Sequence, residues 1–203
     1  AGALSTEIDA LAPNSLYMTG IRPYPYIDEI ASRFVHSTVD VKYRPESPLR
    51  HIPYFRKNCN GIFLREHYPV EKHYLSAGTK RLMHMVDIAD DFTALFVHFA
   101  LRKHTRKKQF AEVAHVIRAR AKRRVIPAGD FNIFSGPEEL DELMSAAGLR
   151  IVNDMDHGTF PTKKPRVAVD LFLASHDLPV TGVHVLSSFA NSDHVPVVVD
   201  VQM

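Results

Sequence analysis

Apolar and polar positions follow two rhythms along the chain. A period near 3.6 marks helices. Ile8 to Leu11 reads as the end of a short helix stopped by Pro13, and Tyr26 to Phe34 as a second with Ile27, Ile30, Ala31 and Phe34 inward. A third, about residues 106 to 123, carries Phe110, Val113, Ala114, Ile117 and Ala121 as its apolar stripe. A fourth is opened by Pro137, has Glu138, Glu139 and Asp141 in its first turns, and is closed by Gly148. That order suits the helix dipole and its caps. Runs rich in Val, Ile and Phe predict strands: Gly61 to Leu64, Leu82 to Ile88, Phe92 to Ala100, Val125-Ile126, Leu149 to Val152, Val167 to Ala174, Val183 to Leu186 and Val195 to Val201. Asp90-Asp91 marks a turn. Residues 42 to 60 hold three prolines and few apolar runs, and read as a long loop.

No internal repeat or low-complexity linker divides the sequence, so residues 1 to 203 read as one domain. Many strands with few helices between them predict a layered α/β (α+β) domain with a sheet-on-sheet core. Composition narrows this further. Hydrophobic residues make up 45% and charged residues 24%, which excludes a disordered or fibrous chain. No apolar run approaches the roughly 18 residues of a transmembrane helix, and the opening stretch lacks the pattern of a secretory leader. The single cysteine, Cys59, excludes an intrachain disulfide framework and a Cys-rich zinc site. It fits a reducing compartment, and a cytoplasmic setting is the expectation.

The net charge is only +2, yet cations concentrate in two runs, 102–108 and 118–124. Such a patch suits nucleic acid or anionic headgroups. The apolar stripe between the runs favours a solvated helix face instead. The chain has no tryptophan and no evident base-stacking platform. Twelve histidines show no close-spaced ligand pair of the HExxH kind.

Polar residues inside or at the ends of apolar strands carry the chemistry, because burial there is costly without a partner. His98 lies within Leu95-Phe-Val-His-Phe-Ala-Leu101. Asp130 and Asn132 follow Val125-Ile-Pro-Ala-Gly129. Asp170 interrupts Val167-Ala-Val-Asp-Leu-Phe-Leu173, and Asp193-His194 precedes Val195-Pro-Val-Val-Val199. Each alone is ordinary, a core histidine or a turn cap. Together they are an inventory for metal-assisted phosphoryl chemistry.

Gly129-Asp-Phe-Asn132, Val169-Asp-Leu-Phe-Leu173 and Ser192-Asp-His194, in this order, resemble the endonuclease/exonuclease/phosphatase superfamily, which includes DNase I. Val97-His98-Phe99 followed by Arg106 and Gln109 is similar to its strand-borne histidine and next helix. Gly158-Thr-Phe-Pro161 with Pro165 resembles a bacterial subgroup. The resemblance implies a DNase I-like four-layer sandwich of two packed mixed sheets flanked by helices. It implies a Mg²⁺ or Mn²⁺ held weakly by Asp193, Asp130 and Asn132. Asp130 would orient or deprotonate the attacking water, and Asn132 would hold that water or a phosphate oxygen. Asp170 would fix the tautomer of His194, and His98 would donate to a phosphate oxygen or assist the leaving group.

The N-terminal part departs from that pattern. The family opens with an Asn-bearing strand before its first helix, and this sequence starts at the helix. That is the mark either of a truncated chain or of a sheet closed differently. An open edge left by the absent strand would favour self-association. Thr19-Gly20 stands where the family has Gln-Glu, the Glu being its main metal ligand. Glu29 and Glu66 are the candidate substitutes, against the simpler reading that both are surface carboxylates. Two functions follow. One is a metal-dependent phosphoesterase (nuclease, phosphodiesterase or phosphatase), impaired or not. The other is an inactive relative that binds nucleic acid, lipid headgroups or protein.

Overall fold

A computed structural model describes residues 2–22, 25–79, 82–186 and 192–203. In chain order its elements are α1 (Gly2–Leu11), β1 (Ser15–Ile21), α2 (Pro25–Ala31), β2 (His36–Val41), β3 (Cys59–Leu64), β4 (Val70–Tyr74), β5 (Leu82–Ala89) and β6 (Phe92–His98). They continue with α3 (Lys103–Arg120), β7 (Arg124–Asp130), α4 (Asp141–Ala147), β8 (Leu149–Ile151), β9 (Asp170–Ser175), β10 (Val180–Val185) and β11 (Val197–Val201). A 3₁₀ turn, Pro137–Leu140, leads into α4, which Gly148 closes in the left-handed conformation. α2 stops at Ala31, but Phe34 in the turn after it is still buried.

Among the described residues, hydrogen bonding divides the strands into three sheets, with orders β1-β3-β2, β10-β11 and β4-β5-β6-β7-β9-β8. This corrects the expectation of two mixed sheets. Only the six-stranded sheet is mixed, through the parallel β6–β7 pair; the other two are antiparallel. β2 and β4 were not legible in the apolar pattern. Their sequences, His36-Ser-Thr-Val-Asp-Val and Val70-Glu-Lys-His-Tyr, belong to sheet edges, where charged residues discourage further pairing.

β7 is longer than Val125-Ile126 suggests. It runs through Pro127 and Gly129 to Asp130. Pro127 is tolerated because pairing with β9 begins only at Ala128. Gly129 is required because β6 passes too close for a side chain. A Cβ there would lie 1.9 Å from the Val97 carbonyl oxygen, and its φ is +136°.

Three apolar clusters hold the elements together. One packs α3 and α4 against the six-stranded sheet through Phe99, Phe110, Val113, Ile117, Leu143 and Leu171. A second joins the opposite face of that sheet, at Phe92, Phe96 and Ile126, to Ile62 and Leu64 of β3 and to Val180 and Val199. The third seats α1 and α2 on the outer face of β1 and β3 through Ile8, Ile27, Ile30 and Phe63.

Several cations of the two basic runs are committed to neighbours. Arg120 pairs with Asp87 and Glu71, Lys107 with Glu142, Arg123 with Asp177 and Arg124 with Asp91. These pairs fit the solvated-face reading of the two basic runs.

Candidate active site

Register assembles the site. His98, the last residue of β6, lies opposite Asp130, the last residue of β7, and Asp130 lies opposite Asp170, the first of β9. An imidazole and two carboxylates thus stand in a row across three adjacent strands at one end of the sheet. His194 closes the row from the segment that leads into β11. Its Nδ1 donates to Asp170 Oδ2 at 2.7 Å, because a carboxylate can only accept. His98 Nε2 lies 3.5 Å from Asp130 Oδ2.

Buried polar side chains fix each member of the row. Thr159 is fully buried, and its hydroxyl oxygen accepts from the backbone N–H groups of Val169 and Asp170. Asn153 accepts from Phe172 N and donates to the Asp170 carbonyl. The carbonyls of Thr159 and Asp193 accept from Val195 N and Thr162 N, and the Phe160 ring lies 4.8 Å from that of His194. The Thr-Phe-Pro and Ser-Asp-His segments therefore form one unit.

The chain beyond His98 is held in the same way. Arg106 donates to the carbonyls of Ala100 and Leu101 and pairs with Glu139. Gln109 accepts from Ala100 N and donates to the Ala77 carbonyl. Asn132, at φ +54°, donates to the Phe99 carbonyl, while its backbone N–H caps Asp130 Oδ1.

The environments of the two central groups differ. Burial, then the charge of Asp170, pushes the Asp130 carboxyl up to about 6, against His194, the Asn132 N–H and Lys42. Burial alone would lower His194, but the hydrogen bond and charge of Asp170, with Asp130 and Asp193, outweigh it and raise the imidazole above its ordinary 6.5. An acceptor and a donor of protons near neutrality stand side by side.

Among the described residues, one group could hold a metal ion: Asp130, Asp170 and His194, whose donor atoms lie within 4.8 Å of one another. Carboxylate oxygens with an imidazole nitrogen suit a hard or borderline divalent cation. Asp193 stands outside this group and is exposed. Glu29 accepts from Ser5 and Glu66 from Tyr68, and neither belongs to this group.

That position holds a different charge. Gly20, at φ +70°, is the extra residue of a bulge where β1 pairs with β3. A Cβ there would meet only the ammonium of Lys42, at 3.9 Å. Lys42 was invisible as a site residue in the sequence, and Thr19 stood there only in place of the family's Gln. Lys42 is 1% exposed, and its ammonium donates to Thr19 Oγ1 at 2.9 Å and to His98 Nδ1 at 3.0 Å. Because an ammonium has no acceptor, His98 Nδ1 is the acceptor and its proton sits on Nε2, toward Asp130. The only hint in the sequence was the glycine itself.

The sequence matches the Endonuclease/Exonuclease/phosphatase family over residues 9–194. The chain belongs to this family. Solved structures agree on the fold. A functionally unknown protein from Enterococcus faecalis is 15% identical, with a TM-score of 0.74 over 98% of this chain and 89% of that one. The human nocturnin catalytic domain with bound sulfate is 20% identical, with a TM-score of 0.72 over 98% and 84%. A mannosyl-6-phosphatase from Bacteroides thetaiotaomicron is 14% identical, with a TM-score of 0.74 over 99% and 90%. No curated protein matches the sequence significantly.

Proposed function

We infer that this family member hydrolyses phosphoester bonds by in-line attack of water. The observation that carries the reading is the row His98–Asp130–Asp170 completed by His194. The mannosyl-6-phosphatase of the same fold and the sulfate held by nocturnin support a phosphate substrate. The three apolar clusters, each between successive layers, support the four-layer, one-domain reading.

In this mechanism Asp130 takes the proton of the attacking water, its raised basicity matching work near neutral pH. Asp170 holds His194 with Nδ1 protonated, which aims Nε2 at the phosphoryl group. His98, its tautomer set by Lys42 and Thr19, directs Nε2–H at a phosphate oxygen. Asn132 acts through its turn, which fixes the Asp130 carboxylate. Asp130, Asp170 and His194 would hold Mg²⁺ or Mn²⁺, which when bound polarises a phosphoryl oxygen. The inactive-relative reading rests on Gly20, the missing ligand carboxylate.

Hydrolysis of phosphomonoesters and phosphodiesters in ¹⁸O-labelled water tests the proposal. Label in the released phosphate or monoester product is expected. Label in the alcohol, or no product from a folded chain with Mg²⁺ or Mn²⁺, contradicts it.

A further inference from the structure

Beside the catalytic row lies a cavity of about 220 Å³ whose walls include Gly20, Arg22, Lys42, Lys57 and His98. It is smaller than the roughly 300–1,000 Å³ of drug-sized sites, and its walls are rich in cations. Of these cations Lys42 is the buried one. A lysine with 1% exposure is uncommon unless its ammonium is hydrogen-bonded. Here its bonds include those to Thr19 and His98, which belong to different sheets. The ammonium is thus built into the contact between the sheets.

We propose that the Lys42 ammonium is a resident cation of this site, binding the phosphoryl group without a divalent ion at position 20. Three features converge on this. The bulge at Gly20 removes the side chain that would cover the ammonium. Lys42 and His98 share a hydrogen bond and both border the cavity, so an anion touching His98 also lies in the field of the ammonium. A divalent ion placed at Gly20 would face that like charge, whereas a phosphate oxygen is attracted to it. The inference rests on the phosphoesterase reading for its choice of anion, but it concerns binding and not turnover.

The test is titration of the purified chain with inorganic phosphate, followed by calorimetry or ³¹P NMR, in chelator and in excess Mg²⁺. Wild-type protein is expected to bind in chelator, and Mg²⁺ held by Asp130, Asp170 and His194 is expected to add to that affinity without being required for it. Lys42→Met is expected to weaken binding at least tenfold. Gly20→Asp is a second variant that leaves the lysine in place. Aspartate tolerates the left-handed backbone better than most residues, and its carboxylate would neutralise the ammonium 3.9 Å from its Cβ. It too is expected to weaken binding tenfold. Phosphate binding that needs Mg²⁺, or that Gly20→Asp strengthens in Mg²⁺, overturns the inference, as does unchanged affinity in a folded Lys42→Met. Lys42-dependent phosphate binding by a chain that hydrolyses nothing upholds the inference and defeats the hydrolase reading. Hydrolysis with Mg²⁺-dependent phosphate binding does the reverse.

Discussion

Asp170 and His194 are joined by a 2.7 Å hydrogen bond between a strand and a loop 24 residues apart in sequence. The bond does for His194 what the Lys42–Thr19 pair does for His98. It places the proton on one ring nitrogen and leaves the other for the substrate. The site thus carries two imidazoles of opposite tautomer, oriented from opposite sides.

Breaking that bond tests the arrangement. Asp170→Asn keeps shape but offers His194 no charge, and His194→Ala removes the imidazole. Each is expected to lower kcat/KM by about 10²–10⁴-fold, the usual contribution of a positioned proton-transfer group. The double variant should be scarcely worse than either single one, because Asp170 acts through His194. Additive losses would mean that the two residues act independently.

Asp130 predicts the pH dependence. As the base it must be ionised, so activity should rise as pH passes about 6. His194 works with Nε2 unprotonated, so loss of its second proton, raised above the ordinary 6.5 chiefly by Asp170, should add to the same rising limb. In Asp130→Asn the Asp130 part of the rising limb should vanish with most of the activity. A pH–rate profile of both proteins checks this.

The same raised carboxyl weakens the fold at neutral pH. The folded state binds the Asp130 proton more tightly than the unfolded state. Its stabilising contribution is therefore full below about pH 4 and is lost as pH rises through about 6. Asp130→Asn, which can still accept from Asn132 N, should be more stable than wild type at pH 8 by about 1–3 kcal/mol. Urea denaturation at pH 8 and pH 4 measures this, and the gain should shrink at the lower pH.

Gly129→Ala should destabilise the fold by roughly 3–5 kcal/mol. Its Cβ would collide with the Val97 carbonyl, at the step where β6 and β7 bring His98 beside Asp130. Denaturant unfolding gives the loss. A variant as stable as wild type would show that the strands can separate without cost.

Arg106 and Glu139 are a nearly buried pair, with side chains 3% and 5% exposed. Arg106→Met leaves Glu139 without its partner and should cost about 3–5 kcal/mol. Adding Glu139→Gln should recover part of that loss. Calorimetric unfolding of the three variants is the measurement, and no recovery would argue that Arg106 works only through the Ala100 and Leu101 carbonyls.

What the sequence revealed follows from where each residue sits. Asp130, Asp170 and His98 were legible because each ends or interrupts a run of apolar residues, and their strands are central in the large sheet. His194 was legible through its neighbours Ser192 and Asp193. Lys42 was not, because it follows a polar edge strand and opens a proline-containing loop, the setting of a solvated lysine. Its burial is created by stacking β1-β3-β2 on the large sheet, a contact between distant segments. Thr19 shares that cause. Arg106 and Gln109 were noticed only by resemblance; the loop carbonyls and N–H they satisfy give the physical reason. The division into three sheets was equally hidden, since no local pattern says which strands share hydrogen bonds.

The central claim is that the row of His98, Asp130 and Asp170 with His194 hydrolyses phosphoesters. The most direct measurement is kcat/KM on bis-p-nitrophenyl phosphate and p-nitrophenyl phosphate, for wild type and His194→Ala side by side, each verified as folded. Turnover of at least one substrate by wild type, reduced a hundredfold or more in the variant, is the predicted result. Equal turnover by both proteins, or none by wild type, would contradict the account.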